Sequence, residues 1–235
     1  MNGKLYLIPT TLGDFETIQN TLPFFNQEIT HQLKYFIVEH VRTARRFLSR
    51  TRHPVPIDEL TFYELGKHTP AIQISSYLDV VERGEDIGLL SEAGTPCIAD
   101  PGAVIVKMAH EKNIEVVPLV GPNSIILALM ASGFNGQNFA FHGYLPVDKG
   151  DLNRKIKDFE ATIRSVNQTQ IFIETPFRNK QILSALISNC NPTTQLCMAM
   201  NLTLPDQKII SKSIKDWKNF KFDVHKKPAV FLLYK

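Results

Sequence analysis

Cysteine is scarce in these 235 residues: only Cys97, Cys190 and Cys197 occur, and no two form a CxxC pair. An odd, widely spaced set excludes a secreted disulfide scaffold and a structural zinc site, and it makes the cytoplasm the expected compartment. Long apolar runs are also missing. The longest, Ile125 to Phe134, is about half of what spans a bilayer and contains Ser132 and Gly133. The first nine residues lack the apolar core and small-residue cleavage site of a signal peptide, so neither a leader nor a membrane partner is expected. GxGxxG, GxxxxGK[ST] and HExxH are absent, which leaves the usual dinucleotide fingerprint, the P-loop and the zincin unsupported. The seven histidines are scattered with no pair at ligand spacing, and no metal is expected. No repeat, low-complexity tract or Gly/Ser linker is present, so two halves would sit close together.

What is present is an ordinary globular composition, 43% apolar and 21% charged, which rules out wholesale disorder, collagen and coiled coil. The length suits one large domain or two small ones. A net charge of +3 permits a nucleic-acid partner without requiring one.

Strand-like and helical segments alternate through the first half. Lys4 to Ile8 reads as a strand; the breakers Pro9, Gly13 and Asp14 follow, then a helical pattern from Thr17. Tyr35 to Val38, Phe62 to Leu65, Asp86 to Leu90 and Glu115 to Leu119 are further strands. Arg42 to Arg50, Ile72 to Val81 and Ala103 to Glu111 are helical. Such alternation predicts a mostly parallel sheet covered on both faces. The pattern restarts at Gly121-Pro122-Asn123-Ser124, where Asn123 or Ser124 can cap the helix Ile125 to Ser132. This predicts an α/β domain over residues 1–119 and a second over 120–235. In the second, strands at 139–144, 170–174, 195–200, 208–211 and 229–234 and helices at 151–165, 179–189 and 214–219 predict a mixed or antiparallel sheet.

Special backbone residues concentrate in Ser91 to Gly102 (SEAGTPCIADPG), directly after a buried strand. The carboxyl end of a strand is where an open α/β sheet binds ligands; Gly94 would let a ligand approach the backbone while Pro96 and Pro101 stiffen the path. An ordinary turn before the next helix is the plainer alternative. Cys97 lies inside the loop, but no histidine partner for a catalytic thiol can be assigned.

The ordered set LYLIPTTLGD, LLSEAGTPCIADPG, VVPLVGPNSIILALMASGF, FHGYLP and IFIETPFRN covers nearly the whole chain. It resembles the tetrapyrrole methylase superfamily, and within it the branch of 16S ribosomal RNA 2′-O-ribose cytidine methyltransferases. The resemblance implies S-adenosylmethionine, a cofactor cleft between two α/β domains, a homodimer, and ribosomal RNA or the small ribosomal subunit as partner. It implies cofactor contacts from Leu90, Ser91, Glu92, Ala93, Gly94, Thr95 and Pro96, from Asn123 and Ser124, from Phe141, Thr175 and Pro176, and from Pro228 and Ala229. Glu92 could bind the ribose or be an exposed loop residue. For proton removal from an acceptor hydroxyl the candidates are Glu39 and Glu174; Arg42 and Arg178 would position phosphate or substrate, or form structural ion pairs.

The acceptor half departs from that branch. Glu39-His40-Val41-Arg42 stands where Glu-Asp-Thr-Arg is typical, Thr175-Pro176-Phe177-Arg178 for Ser-Pro-His-Arg, and Ala199 to Leu204 (AMNLTL) for Ala-Arg-Glu-Leu-Thr-Lys. Positions 42, 45, 46, 49 and 53 share a helical face, so Arg42, Arg45, Arg46 and His53 could meet phosphates or form a solvated surface. A second basic stretch runs from Lys208 through Lys212, Lys215, Lys218, Lys221, Lys226 and Lys227 and suits an exposed surface equally well. Phe134 and Phe177 could stack a base or fill a core. The other functions kept in view are methylation of a porphyrinoid or other small molecule, and a module that binds S-adenosylmethionine or RNA without catalysis.

Overall fold

The computed structural model describes residues 2–13, 15–66 and 69–235; the expected breaker Asp14 lies outside them. The chain divides into two compact units, Met1–Asn123 and Ser124–Lys235.

In the first unit the order is β1 (Lys4–Ile8), α1 (Ile18–Thr21), α2 (Phe24–Thr30), β2 (Tyr35–Val38), α3 (Val41–Arg50), β3 (Thr61–Glu64), α4 (Ala71–Ser75), α5 (Asp79–Glu82), β4 (Ile87–Leu90), α6 (Ala103–Glu111) and β5 (Glu115–Pro118). The five strands form one all-parallel sheet in the order β3-β2-β4-β1-β5. Connections from β1 to β2 to β3 run one way along the sheet and those from β3 to β4 to β5 run the other. Right-handed crossovers therefore send their helices to opposite faces. The side chains divide accordingly. Leu5, Ile37, Ile87 and Leu89 meet Tyr77, Val80, Val81 and Ile105 on one face. Ile8, Phe36, Val38 and Leu90 meet Leu33, Ala44, Phe47 and Leu48 on the other. On the second face Gly88 is required, because a Cβ there would come within 2.6 Å of Ile8 Cδ1.

Two expected helices are broken. The pattern from Thr17 divides into α1 and α2, since Pro23 cannot continue α1. The pattern over 72–81 divides into α4 and α5 around the buried pair Tyr77 and Leu78. In α3, Ala44, Phe47 and Leu48 recur at helical spacing and face inward, while the arginines face water. Burial of Phe47 and Leu48 contributes roughly 1.5–3 kcal/mol each.

The second unit contains α7 (Ser124–Ser132), β6 (Phe139–Tyr144), α8 (Lys149–Val166), β7 (Thr169–Glu174), α9 (Asn179–Asn189), β8 (Gln195–Met200), β9 (Lys208–Ser213), α10 (Ile214–Trp217) and β10 (Ala229–Tyr234). Its sheet is mixed, in the order β6-β7-β10-β8-β9, with β6 and β7 parallel and the other pairs antiparallel. Asp148 caps α8 by accepting the Asp151 N–H at 2.9 Å. The stacked rings of Phe159 on α8, Phe172 on β7 and Phe231 on β10 run through the core. Among the described residues no helix is long and apolar enough to cross a membrane, and no three His, Cys, Asp or Glu side chains are grouped to hold a metal ion.

Candidate active site

In the first unit β4 and β1 are neighbours whose onward connections leave in opposite directions. Open α/β sheets bind ligands outside the carboxyl ends of such a strand pair. Ser91 to Pro96 continues β4 there, and Thr10, buried just beyond β1, holds its shape. The Thr10 N–H donates to the Gly94 carbonyl at 3.0 Å, and its hydroxyl donates to the Ser91 carbonyl at 3.2 Å. The Ser91 hydroxyl donates to the same Gly94 carbonyl. Asn123 Nδ2 donates to Thr95 Oγ1 at 2.6 Å, tying in the segment that precedes α7. Leu90, Ser91, Gly94 and Pro96 are buried, Glu92 and Thr95 half-buried, and Ala93 exposed.

Gly94 is required by the loop's own packing. It has φ of +77°, and a Cβ would stand 2.9 Å from Leu12 Cδ2 and 3.0 Å from the Pro122 carbonyl oxygen. The missing side chain makes room for the protein's own backbone and for a left-handed conformation. The second half of the loop is organised by Asp100, whose Oδ1 accepts the N–H groups of Cys97 and Gly102, each at 2.8 Å. Burial, with the Asp100 charge beside it, pushes the Cys97 thiol up to about 11, which removes the thiolate a nucleophile would need.

Glu92 Oε1 accepts the His40 N–H at 3.1 Å and lies 3.5 Å from His40 Nδ1, joining the end of β4 to the entry of α3. Glu39, Leu90 and Glu92 line one small pocket together with Asp100 and Gly102. Arg42 is exposed on α3. Arg45 is engaged by Asp58. His53 leaves the arginine face altogether. The helix ends at Arg50, Arg52 has φ of +57°, and the His53 ring turns inward to Thr30, Leu33 and Val55 carbonyls beside Phe36. A larger pocket of about 470 Å³, lined by Pro9, Leu22, Asn26, Arg50 and Arg52 among others, contains none of the residues expected to hold a cofactor.

In the second unit the ends of β6, β7 and β8 and the start of β10 meet along one edge. Ala229 pairs with Glu174 on one side and with Met200 on the other, and the Asn201 N–H donates to the Pro228 carbonyl at 3.0 Å. The expected residues Glu174, Thr175, Pro176, Arg178, Pro228 and Ala229 are thus brought together. Glu174 is closed off: its side chain has no exposed surface, and it meets Arg178 at 3.1 Å. It also accepts the N–H groups of Leu145 and Thr175, each at 3.2 Å. Arg178 donates to the Leu145 and Pro146 carbonyls at 3.3 and 2.9 Å. This is a clamp on the turn after β6, and it leaves Glu174 no open face from which to take a substrate proton. Phe141 is half-buried in β6 and Ser124 half-buried at the start of α7.

Phe177 is 71% exposed, contrary to a core role, whereas Phe134 packs against Tyr234. Of the replaced positions in this segment, Met200 fills the core, Asn201 is buried and Leu204 is half-buried. Sequence reasoning missed Thr10 and Asn179. Both stand inside the quoted segments, but what they hold is backbone distant in sequence, and no side-chain pattern marks it.

The cofactor that the resemblance implies can be tested against the loop. From Leu89 to Gly102 there are two carboxylates and no lysine or arginine. A cation-free loop that carries two carboxylates suits a sulfonium and does not suit a phosphate-rich cofactor. The residues fit.

Comparison with known proteins places the chain among methylases. A family model for tetrapyrrole (corrin/porphyrin) methylases matches residues 31–217. A protein from Hydrogenobaculum sp. (strain Y04AAS1) named ribosomal RNA small subunit methyltransferase I is 31% identical over 215 residues, covering 91% of this chain and 86% of that one. Its namesake from Bacillus subtilis (strain 168) is 34% identical over 184 residues, covering 78% of this chain and 59% of the relative's length. Among solved structures, the methyltransferase CobJ superposes with a TM-score of 0.65 at 15% identity, covering 99% of this chain and 94% of that one. A uroporphyrin-III C-methyltransferase from Thermus thermophilus, in complex with S-adenyl homocysteine, gives 0.56 at 16%, covering 99% and 98%.

Proposed function

Because this chain belongs to the tetrapyrrole (corrin/porphyrin) methylase family, we propose that it uses S-adenosylmethionine to methylate a ribose 2′-hydroxyl of small-subunit ribosomal RNA. The observation that carries the reading is the similarity, over 91% of the chain, to a protein named as a small-subunit ribosomal RNA methyltransferase. The cation-free loop beside Thr10 supports the donor half of it.

Leu90 to Pro96, with Asn123, are the residues of the first unit that would hold the cofactor; in the second unit the resemblance points to Ser124, Phe141, Thr175, Pro176, Pro228 and Ala229. When bound, S-adenosylmethionine supplies an electrophilic methyl group whose bonding electrons return to sulfur. The chain's own contribution is alignment of an attacking oxygen, which can account for much of the acceleration in such a displacement. Glu39 is the carboxylate left to accept the hydroxyl proton, since Glu174 is consumed by Arg178. Exposed Arg42 would hold a phosphate of the acceptor, while Arg178 acts as a positioning residue on the 145–146 turn. The reading extends to a homodimer in the cytoplasm, which sedimentation at twice the monomer mass would support.

The test is incorporation of labelled methyl from S-adenosylmethionine into small-subunit RNA, with a porphyrinoid offered in parallel. Label in RNA alone supports the reading. Label in the porphyrinoid alone, or in neither, contradicts it.

A further inference from the structure

We propose that Lys208, Lys212, Lys226 and Lys227 form a track for the phosphate backbone of the RNA acceptor; this rests on the ribosomal RNA reading above. Residues 208–227 hold seven lysines against Asp216 and Asp223. Among the described residues none of the seven stands within ion-pair distance of a carboxylate. The two aspartates are otherwise engaged. Asp216 accepts from the Ser213 hydroxyl at 2.6 Å; Asp223 accepts from the His225 N–H at 3.1 Å, lies 3.9 Å from Lys180 and acts on Lys227 only from beyond ion-pair distance.

Four of these lysines are stationed over aromatic rings. Lys208 and Lys227 lie 5.2 and 5.4 Å from the centroid of Phe222. Lys212 lies 4.9 Å from Phe220, and Lys226 lies 5.8 Å from Phe177. A ring face holds an ammonium without neutralising it, so the cations are localised and remain available to anions. Phe220 and Phe222 stack on one another, and Phe222 packs against the core. Ammonium groups roof these two rings, which suits phosphates better than insertion into a lipid surface. Lysine on an edge strand also deters strand pairing. That would account for Lys208 and Lys212 on β9 but not for Lys226 and Lys227, which precede β10.

The track leads to the candidate site. Lys208 pairs with Met200, Met200 with Ala229, and Ala229 with Glu174, forming one row across four strands. At about 4.8 Å per strand, the Lys208 backbone is ~14 Å from Glu174. The other end is tied directly. Wholly buried Asn179 donates to the Val224 and Lys227 carbonyls at 3.0 and 2.7 Å, and the Lys226 N–H donates to the Pro176 carbonyl at 3.2 Å. The basic segment and the turn bearing Thr175 to Arg178 are therefore one piece. An RNA strand lying on the lysines is delivered to that turn.

The experiment replaces Lys208, Lys212, Lys226 and Lys227 together by glutamine in the full chain. A Lys107→Gln, Lys157→Gln double variant serves as an off-track control, and each protein is checked for folding by circular dichroism. Binding to small-subunit ribosomal RNA is measured across a salt series, and S-adenosylhomocysteine affinity separately. The expected result is RNA binding at least tenfold weaker and a salt slope shallower by about three, at about 0.7 per contact to single-stranded RNA, with S-adenosylhomocysteine affinity unchanged. Unchanged RNA affinity and slope in the quadruple variant, while wild type methylates RNA, would overturn the track and leave the ribosomal RNA reading standing. Lysine-dependent RNA binding without methyl transfer by wild type would uphold the track and overturn that reading. Lysine-dependent retention on phosphatidylserine vesicles with no change in RNA binding would assign the surface to lipid and overturn the proposal.

Discussion

Arg178 Nη1 lies 3.1 Å from Glu174 Oε1, and the carboxylate it meets has no exposed surface. With the Leu145 and Pro146 carbonyls on the arginine, the pair fixes the turn after β6 to the end of β7. Arg178→Ala would strand a buried carboxylate and should destabilise the fold by about 3–5 kcal/mol. Urea unfolding measures this. Unaltered stability with lost methyl transfer would instead place Arg178 directly on substrate.

Gly94 and Gly133 have nearly the same φ, +77° and +78°, but different surroundings: a Cβ on Gly94 meets Leu12 and Pro122, whereas one on Gly133 meets nothing within 4 Å. Gly133→Ala should therefore cost only the left-handed penalty of ~1–2 kcal/mol. Gly94→Ala should cost more and also weaken S-adenosylhomocysteine binding in calorimetry. Equal costs and unchanged affinity would remove the loop from the cofactor site.

Much of the architecture was legible in residue patterns. The short apolar runs of β1, β2 and β4, alternating with helical segments such as α3 and α6, carry a parallel sheet with two covered faces, and that is what forms. The misreadings fall where a local signal competes with tertiary packing. Residues 72–81 have helical spacing but break so that Tyr77 and Leu78 are fully buried. His53 continues the arginine face in a helical projection, yet Arg52 reverses the chain one residue earlier. At the site, the loop after β4 announces itself by its glycines and prolines. The Glu174–Arg178 clamp and the lysines over Phe220 and Phe222 do not, because they depend on which segments the sheet lays side by side.

Burial lowers the pKa of His142 from its ordinary value near 6.5; Gln170, hydrogen-bonded at 2.7 Å, opposes this and Lys155 adds to it. The folded state then binds this proton more weakly than the unfolded chain does. His142 contributes fully to stability above about pH 6.5, and the contribution is lost as pH falls toward the depressed folded value. His142→Gln should therefore lose less stability than wild type between pH 7.5 and 5.5 in urea melts. Identical losses would contradict the burial argument.

Cys97 sits inside the loop after β4 with its thiol pushed up to about 11. It should react slowly with iodoacetamide at pH 7.5, and Cys97→Ala should retain methyl transfer within about twofold. Rapid alkylation with loss of activity would restore a catalytic thiol.

The central claim is tested most directly by locating the label. Small ribosomal subunits lacking the modification are incubated with the protein and methyl-labelled S-adenosylmethionine, and the RNA is then mapped by partial alkaline hydrolysis. The account predicts label on the ribose 2′-oxygen of a defined nucleotide, visible as an alkali-resistant linkage. Label confined to a base, or no label from a protein that binds S-adenosylhomocysteine, would contradict it.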